Sequence, residues 1–205
     1  MSSRNAILTK LRPHARDSEL PEIPQGITYD DLLCQYAESL AAVSGKCIVV
    51  PDCAAAHAEL SAIDQYASGT KRCSLVPGIG ETNFNLSDVT DPHDLHDVDF
   101  AVMPGQLAVA ENGAVWVNDA DVSHRVLYFL PQHLALVLPA GNVVHNMHEA
   151  YARLPVGTTP FGSFVSGPSK TADIEQALVI GAHGARSLTV FLIEEEPEVT
   201  GQGAA

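Results

Sequence analysis

The sequence predicts an α/β protein: a three-layer, mixed and mostly parallel sheet carrying an inserted β-hairpin and preceded by N-terminal helices. Three observations carry that expectation. Short apolar, β-branched runs alternate with segments of helical spacing at both ends of the chain. In the middle, three apolar runs follow one another with only Pro104-Gly105 and Asn112-Gly113 between them, a hairpin signature. The 205 residues, 46% hydrophobic and 18% charged, suffice for one such core and argue against long disorder.

Residues 2–12 read as a short helix with Ala6, Ile7 and Leu11 on one side, and His14 to Gly26 as a linker containing Pro21 and Pro24. Thr28 with Asp31 resembles a capping box, and Leu32, Leu33, Tyr36, Ala37, Leu40 and Ala41 repeat at helical spacing. Cys47 to Val50 is a strand closed by Pro51; Asp52 caps a helix presenting Leu60, Ile63 and Ala67. Ser74-Leu75-Val76 reads as a second strand, paired in parallel with the first through a right-handed crossover. Residues 78–97 are acidic loops, followed by the three hairpin-region strands at 100–102, 107–110 and 114–117. Ser123 to Leu130 is expected as a helix, Leu134 to Leu138 as a buried strand and Asn146 to Leu154 as a helix. Phe164 to Ser166 reads as a strand end, Thr171 to Leu178 as a third late helix and Ser187 to Glu194 as the last strand. This divides the chain into an N-terminal helical extension (1–45), an α/β domain (46–195) and a flexible tail (196–205).

Composition removes several function classes. With 11 Lys and Arg against 25 Asp and Glu, the net charge of −14 leaves no dense basic surface for nucleic acid or anionic membrane. No apolar h-region follows Met1-Ser2-Ser3-Arg4-Asn5, and the greasiest run, Leu134 to Ala140, is far too short to span a bilayer. A soluble, cytoplasmic protein is expected. Cys34, Cys47, Cys53 and Cys73 form no C-x-x-C pair, so neither a zinc site nor an iron–sulfur cluster is expected; the chain has no redox centre of its own.

The segment most able to carry chemistry is Ser166-Gly167-Pro168-Ser169-Lys170-Thr171-Ala172-Asp173-Ile174-Glu175-Gln176, placed where a strand ends and a helix begins. Free amides of the first helical turn, the Ser169 and Thr171 hydroxyls and Lys170 could hold a carboxylate or phosphate there. Equally, Ser169 or Thr171 could simply cap the helix while Asp173 and Glu175 complement its positive end. Those two acids oppose a second anion and suit a cation or a basic group on a partner. A nucleotide-binding P-loop is excluded: Gly162 and Gly167 have the required gap, but Lys170-Thr171 falls two residues late. His183 stands between Gly181 and Gly184 at a strand–loop junction, as a site-lining residue or a satisfied core histidine. His93 with His96, and His145 with His148, have i, i+3 spacing, but neither is an H-E-x-x-H arrangement and no metal is assigned to them.

Ser166 to Gln176, followed by Ile180-Gly181-Ala182-His183-Gly184-Ala185-Arg186 and an apolar strand, resembles the C-terminal signature of the LUD, or lactate-utilization, family. Ala108 to Val115 resembles that family's central turn, although Asn112 and Ala114 stand where it usually has threonine. The Ser-Arg-Asn-Ala-Ile-Leu opening at Ser3 resembles the branch that serves as the C subunit of lactate utilization. The resemblance covers residues 70–194 well and the N-terminal part loosely. It implies a fold like that of the sugar-phosphate isomerase and CoA-transferase group. It further implies a role in oxidising L-lactate to pyruvate beside partner subunits that bear the iron–sulfur clusters, with no cofactor in this chain. CoA transferases of that fold group use a glutamate nucleophile within Glu-Asn-Gly, and Glu111-Asn112-Gly113 repeats those letters. A stand-alone enzyme acting on acyl-CoA or another small anion is therefore the alternative, with Glu111 as nucleophile or as a positioning group near 166–175; a purely structural scaffold is the third reading.

Overall fold

A computed structural model describes residues 3–14, 26–154, 157, 160–171, 179–181 and 183–194. The expected helix over Thr171–Leu178 and the tail beyond Glu194 lie almost wholly outside them.

Two stacked sheets form the body. The first is five-stranded and entirely parallel, built from β1 (Lys46–Val50), β2 (Arg72–Ser74), β3 (Phe100–Pro104), β6 (His133–Pro139) and β9 (Ser187–Ile193) in the order β1-β9-β6-β3-β2. The second has four strands, β4 (Leu107–Val109), β5 (Ala114–Asn118), β7 (Val143–Val144) and β8 (Gly162–Val165), ordered β7-β4-β5-β8, with β5 antiparallel to both neighbours. The expected hairpin is thus the centre of a second sheet rather than an isolated insertion. The predicted direct pairing of the first two strands is also corrected: β1 and β2 lie at opposite edges of the parallel sheet. The positions between them go to β9, β6 and β3, whose runs are apolar enough to be buried on both faces.

Alternation along those three strands assigns each face. Ala101, Met103, Leu134, Leu136, Leu138, Leu188, Val190 and Leu192 point into the main core, shared with Ala108, Val115 and Val117 of the second sheet. Phe100, Val102, Ala135, Val137, Phe191 and Ile193 face the other way, onto Ala56 and Leu60 of α3 (Cys53–Ser61) and Tyr66 of α4 (Asp64–Ser68). The single helix expected after Asp52 is therefore two, with Ile63 at the break; Asp52 caps the first by accepting from the Ala55 N–H. On the outer face of the second sheet, α5 (Met147–Arg153) packs Ala150 against Leu107, Val109 and Val144.

At the N-terminus, α1 (Ser3–Leu11) forms as expected but buries no residue, and Ile7 and Leu11 stay exposed. By contrast α2 (Leu32–Ala42) drives Tyr36 and Leu40 fully into the main core. Asp31, not Thr28, caps α2. The reason is tertiary: the Asn146 side chain donates to the Ile27 carbonyl, and the Tyr29 N–H donates to His145 Nδ1, which ties 27–29 to the start of α5 and keeps them out of the helix. The helix expected at Ser123–Leu130 is only a 3-10 turn, Arg125–Tyr128.

Asp99, just ahead of β3, accepts from the Thr70 N–H (2.8 Å), the Thr70 hydroxyl (2.7 Å) and the Lys71 N–H (3.0 Å), setting β2 against β3. The Lys71 amide, then the Thr70 hydroxyl, hold its carboxyl below the usual aspartate range. A depressed folded-state value contributes stability above the unfolded value, and this is lost as pH falls through the folded one. Asp99→Asn should therefore melt below the parent at neutral pH, with the gap closing as the medium is acidified below pH ~4; melting temperature against pH checks this.

Candidate functional site

The turn between β4 and β5 is a four-residue loop, Ala110–Gly113, rather than the two-residue Asn-Gly turn the sequence suggests. Gly113 has φ +65°, whereas Asn112 does not enter positive φ; its side-chain oxygen instead accepts the Ala114 N–H. Glu111 is exposed, and its carboxylate accepts the Met147 N–H (3.0 Å) at the start of α5 while its own N–H donates to the His145 carbonyl. Asn146 caps α5 by accepting from the Glu149 N–H, and Glu149 accepts the His145 N–H. The Glu111 carboxylate thus completes a helix start.

Beside this turn runs the 166–171 segment. The Ser166 hydroxyl donates to the Asn112 carbonyl (2.8 Å). Gly167, at φ +73°, lies under the end of α2, where a Cβ would stand 2.4 Å from the Val43 carbonyl oxygen. The Ser169 N–H donates to Ala185, the Gly181 N–H to Ser169 and the Thr171 N–H to Val179, and Lys170 faces Ile180 across an antiparallel bridge. The Thr171 hydroxyl accepts the Val179 N–H. The Ser169 and Thr171 amides are consumed by this ladder, and the amides of the expected first helical turn beyond Thr171 lie outside the described residues. One expectation is corrected here: the crevice is at the other end of the sheet from the one expected. β8 runs antiparallel in the second sheet, so the chain leaving it passes beneath the first residues of β6 and β9, not the carboxyl ends of parallel strands.

A cavity of about 290 Å³ opens there. Gly167, Pro168, Ser169 and Lys170 form one wall and His183 and Gly184 another. Gly184 is a close-approach position: a Cβ would lie 3.0 Å from the Phe129 carbonyl and 3.1 Å from Ser169 Cβ. The floor is apolar: Tyr128, Phe129, Leu134, Val165, Ala185 and Leu188. The structure therefore brings together Gly167, Ser169, Lys170 and His183. It leaves Ser166, Thr171 and Glu111 off the cavity lining, and Asp173 and Glu175 lie outside the described residues. The floor was invisible in the sequence because those residues carry the same apolar signal as the core.

Tyr128 donates its hydroxyl to the Pro104 carbonyl (3.0 Å), and burial first, then Asp121 and Asp119, push its ionisation up, so it is a neutral phenol. The four cysteines are free and dispersed over α2, β1, α3 and β2. Burial raises Cys47 to about 11 and also raises Cys73, so these remain thiols at neutral pH. That donor set does not fit an iron–sulfur cluster. Among the described residues, no three His, Cys, Asp or Glu side chains gather to hold a metal. His93 Nδ1 lies 2.7 Å from Asp91, and His145 Nδ1 is taken by the Tyr29 N–H. No helix among the described residues is long and apolar enough to cross a membrane.

A parallel sheet stacked on a smaller mixed sheet, with a cleft where the parallel strands begin, defines a mixed α/β domain. The same fold is found in a DUF162 family protein from Deinococcus radiodurans (TM-score 0.56, 17% identity, 79% of this chain and 96% of that one). The LUD domain family model matches residues 91–193, about half of the chain, and the chain belongs to that family. Its relatives include lactate utilization protein C of Bacillus pumilus (strain SAFR-032), 32% identical over 47% of this chain and 43% of that protein. Another is lactate utilization protein C of Geobacillus kaustophilus (strain HTA426), 26% identical over 82% of this chain and 71% of that protein.

Proposed function

We propose that this chain is a lactate-utilization subunit of the protein C type, which supports oxidation of L-lactate to pyruvate while iron–sulfur partner subunits carry the electrons. The observation that carries the reading is the family match over residues 91–193, the stretch that also holds the cleft formed by Gly167, Ser169, Lys170 and His183. The relatives' lactate-utilization role supports this reading, and the chain's own scattered thiols favour an electron path borrowed from elsewhere. The acyl-CoA alternative is disfavoured because the Glu111 carboxylate is engaged as a cap at α5 and lies off the cavity, where no cleft would hold an acyl group against it.

The deciding experiment is an anaerobic pull-down on the full chain, with iron content and lactate oxidation measured on the eluate. An iron-bearing partner should elute, and lactate oxidation by cells should fall at least tenfold when this chain is deleted and return on complementation. Undiminished lactate oxidation in the deletion strain would overturn the reading.

A further inference from the structure

The cavity beneath β6 and β9 is divided into a cationic rim and an apolar body, and that division selects a ligand class. Lys170 and His183, both exposed, stand at the rim; among the described lining residues there is no carboxylate, and Tyr128 is a neutral phenol. In a chain of net charge −14, two basic side chains and no acid among the described lining residues make a local inversion that favours an anion. A phosphate is held by several converging amides, yet the Ser169, Thr171 and Gly181 N–H groups here are all spent on backbone carbonyls. One ammonium beside one imidazole matches a single carboxylate. Behind them, Leu134, Val165 and Leu188 with the rings of Tyr128 and Phe129 offer a surface that a polar three-carbon acid would leave largely uncovered. The volume of about 290 Å³ lies at the small end of ligand pockets.

We infer that the cleft binds an amphiphilic monocarboxylate. Its carboxylate meets Lys170 and His183, and its hydrocarbon chain, longer than that of lactate, lies on Leu134 and Leu188. The inference rests on the same cleft as the lactate-utilization reading but does not require lactate as its occupant.

Titration calorimetry of the full chain with acetate, butyrate and hexanoate tests it, with hexanamide and inorganic phosphate as competitors. Affinity should rise about fourfold per added methylene, the gain from burying one CH₂ group. Lys170→Met, which keeps the stem and removes the charge, should weaken hexanoate at least tenfold, and His183→Gln should weaken it less. Both side chains are exposed, and unchanged melting of each variant confirms an intact fold. Neither hexanamide nor phosphate should displace hexanoate. Affinity independent of chain length, undiminished binding in Lys170→Met or displacement by phosphate would each overturn the proposal. If hexanoate fails to bind while deletion still abolishes lactate oxidation, this inference alone falls. If hexanoate binds and deletion leaves lactate oxidation intact, the pathway assignment falls instead.

Discussion

Gly113→Ala is expected to destabilise the protein by about 3 kcal/mol, and so to lower its melting temperature by roughly 6–12 °C. Two costs add. At φ +65° an L side chain carries a left-handed penalty of about 1–2 kcal/mol. The new Cβ would also stand 2.6 Å from the Leu40 nitrogen, 2.7 Å from its Cα and 2.9 Å from the Ser39 carbonyl carbon. All three are helix backbone and cannot rotate aside, so either α2 or the β4–β5 turn must move. Gly78 supplies the control: it has φ +79° but no atom within 4 Å of its would-be Cβ, so Gly78→Ala carries only the conformational penalty, about 1 kcal/mol. Equal melting of the two variants would show that the α2 contact is not a constraint. Because the Ser166 hydroxyl donates to the Asn112 carbonyl in the same turn, Gly113→Ala should also disturb the cleft wall, whereas Gly78→Ala should not.

The contrast between these glycines explains what could be read in the sequence. Asn112-Gly113 marked a turn, and Asp52 and Asn146 marked helix starts, because each signal is local: a backbone angle or a side-chain cap within a few residues. The buried strands β3, β6 and β9 were legible for the same reason, as unbroken apolar runs. What escaped was set by distant partners. Thr28 looked like a cap until Asn146 and His145 tied residues 27–29 down outside the helix. β1 and β2 looked like neighbours until β9, nearly 140 positions after β1, took the place beside it. The site split likewise. Lys170, Ser169 and His183 stood out as polar residues in a glycine-rich stretch, but nothing local revealed that β8 belongs to the second sheet. That one assignment moves the cleft from the carboxyl ends of the parallel strands to their beginnings.

Tyr36→Phe should stabilise the protein, by about 1–2 kcal/mol, even though it removes an atom from a fully buried residue. The ring of Tyr36 is wholly enclosed in the main core, and its hydroxyl has no hydrogen-bond partner among the described residues. Burial, with the neighbouring Cys47 adding to it, pushes its ionisation far above the ordinary tyrosine range, so the group is a neutral, desolvated donor. Phenylalanine keeps the packing and discards the unsatisfied hydroxyl; Tyr36→Ala, which discards the ring, should instead cost about 3–5 kcal/mol. Urea unfolding of the two variants separates packing from polarity. The sign also bears on the cleft, because the helix that carries Tyr36 presses Ser39 and Leu40 onto Gly113, and Val43 just past its end onto Gly167. If α2 is held there by packing alone, Tyr36→Phe leaves hexanoate affinity unchanged while raising stability. If the variant is less stable than the parent, the hydroxyl is bonded in solution, α2 is anchored by a polar contact, and the account of this core as an apolar support for the cleft is wrong.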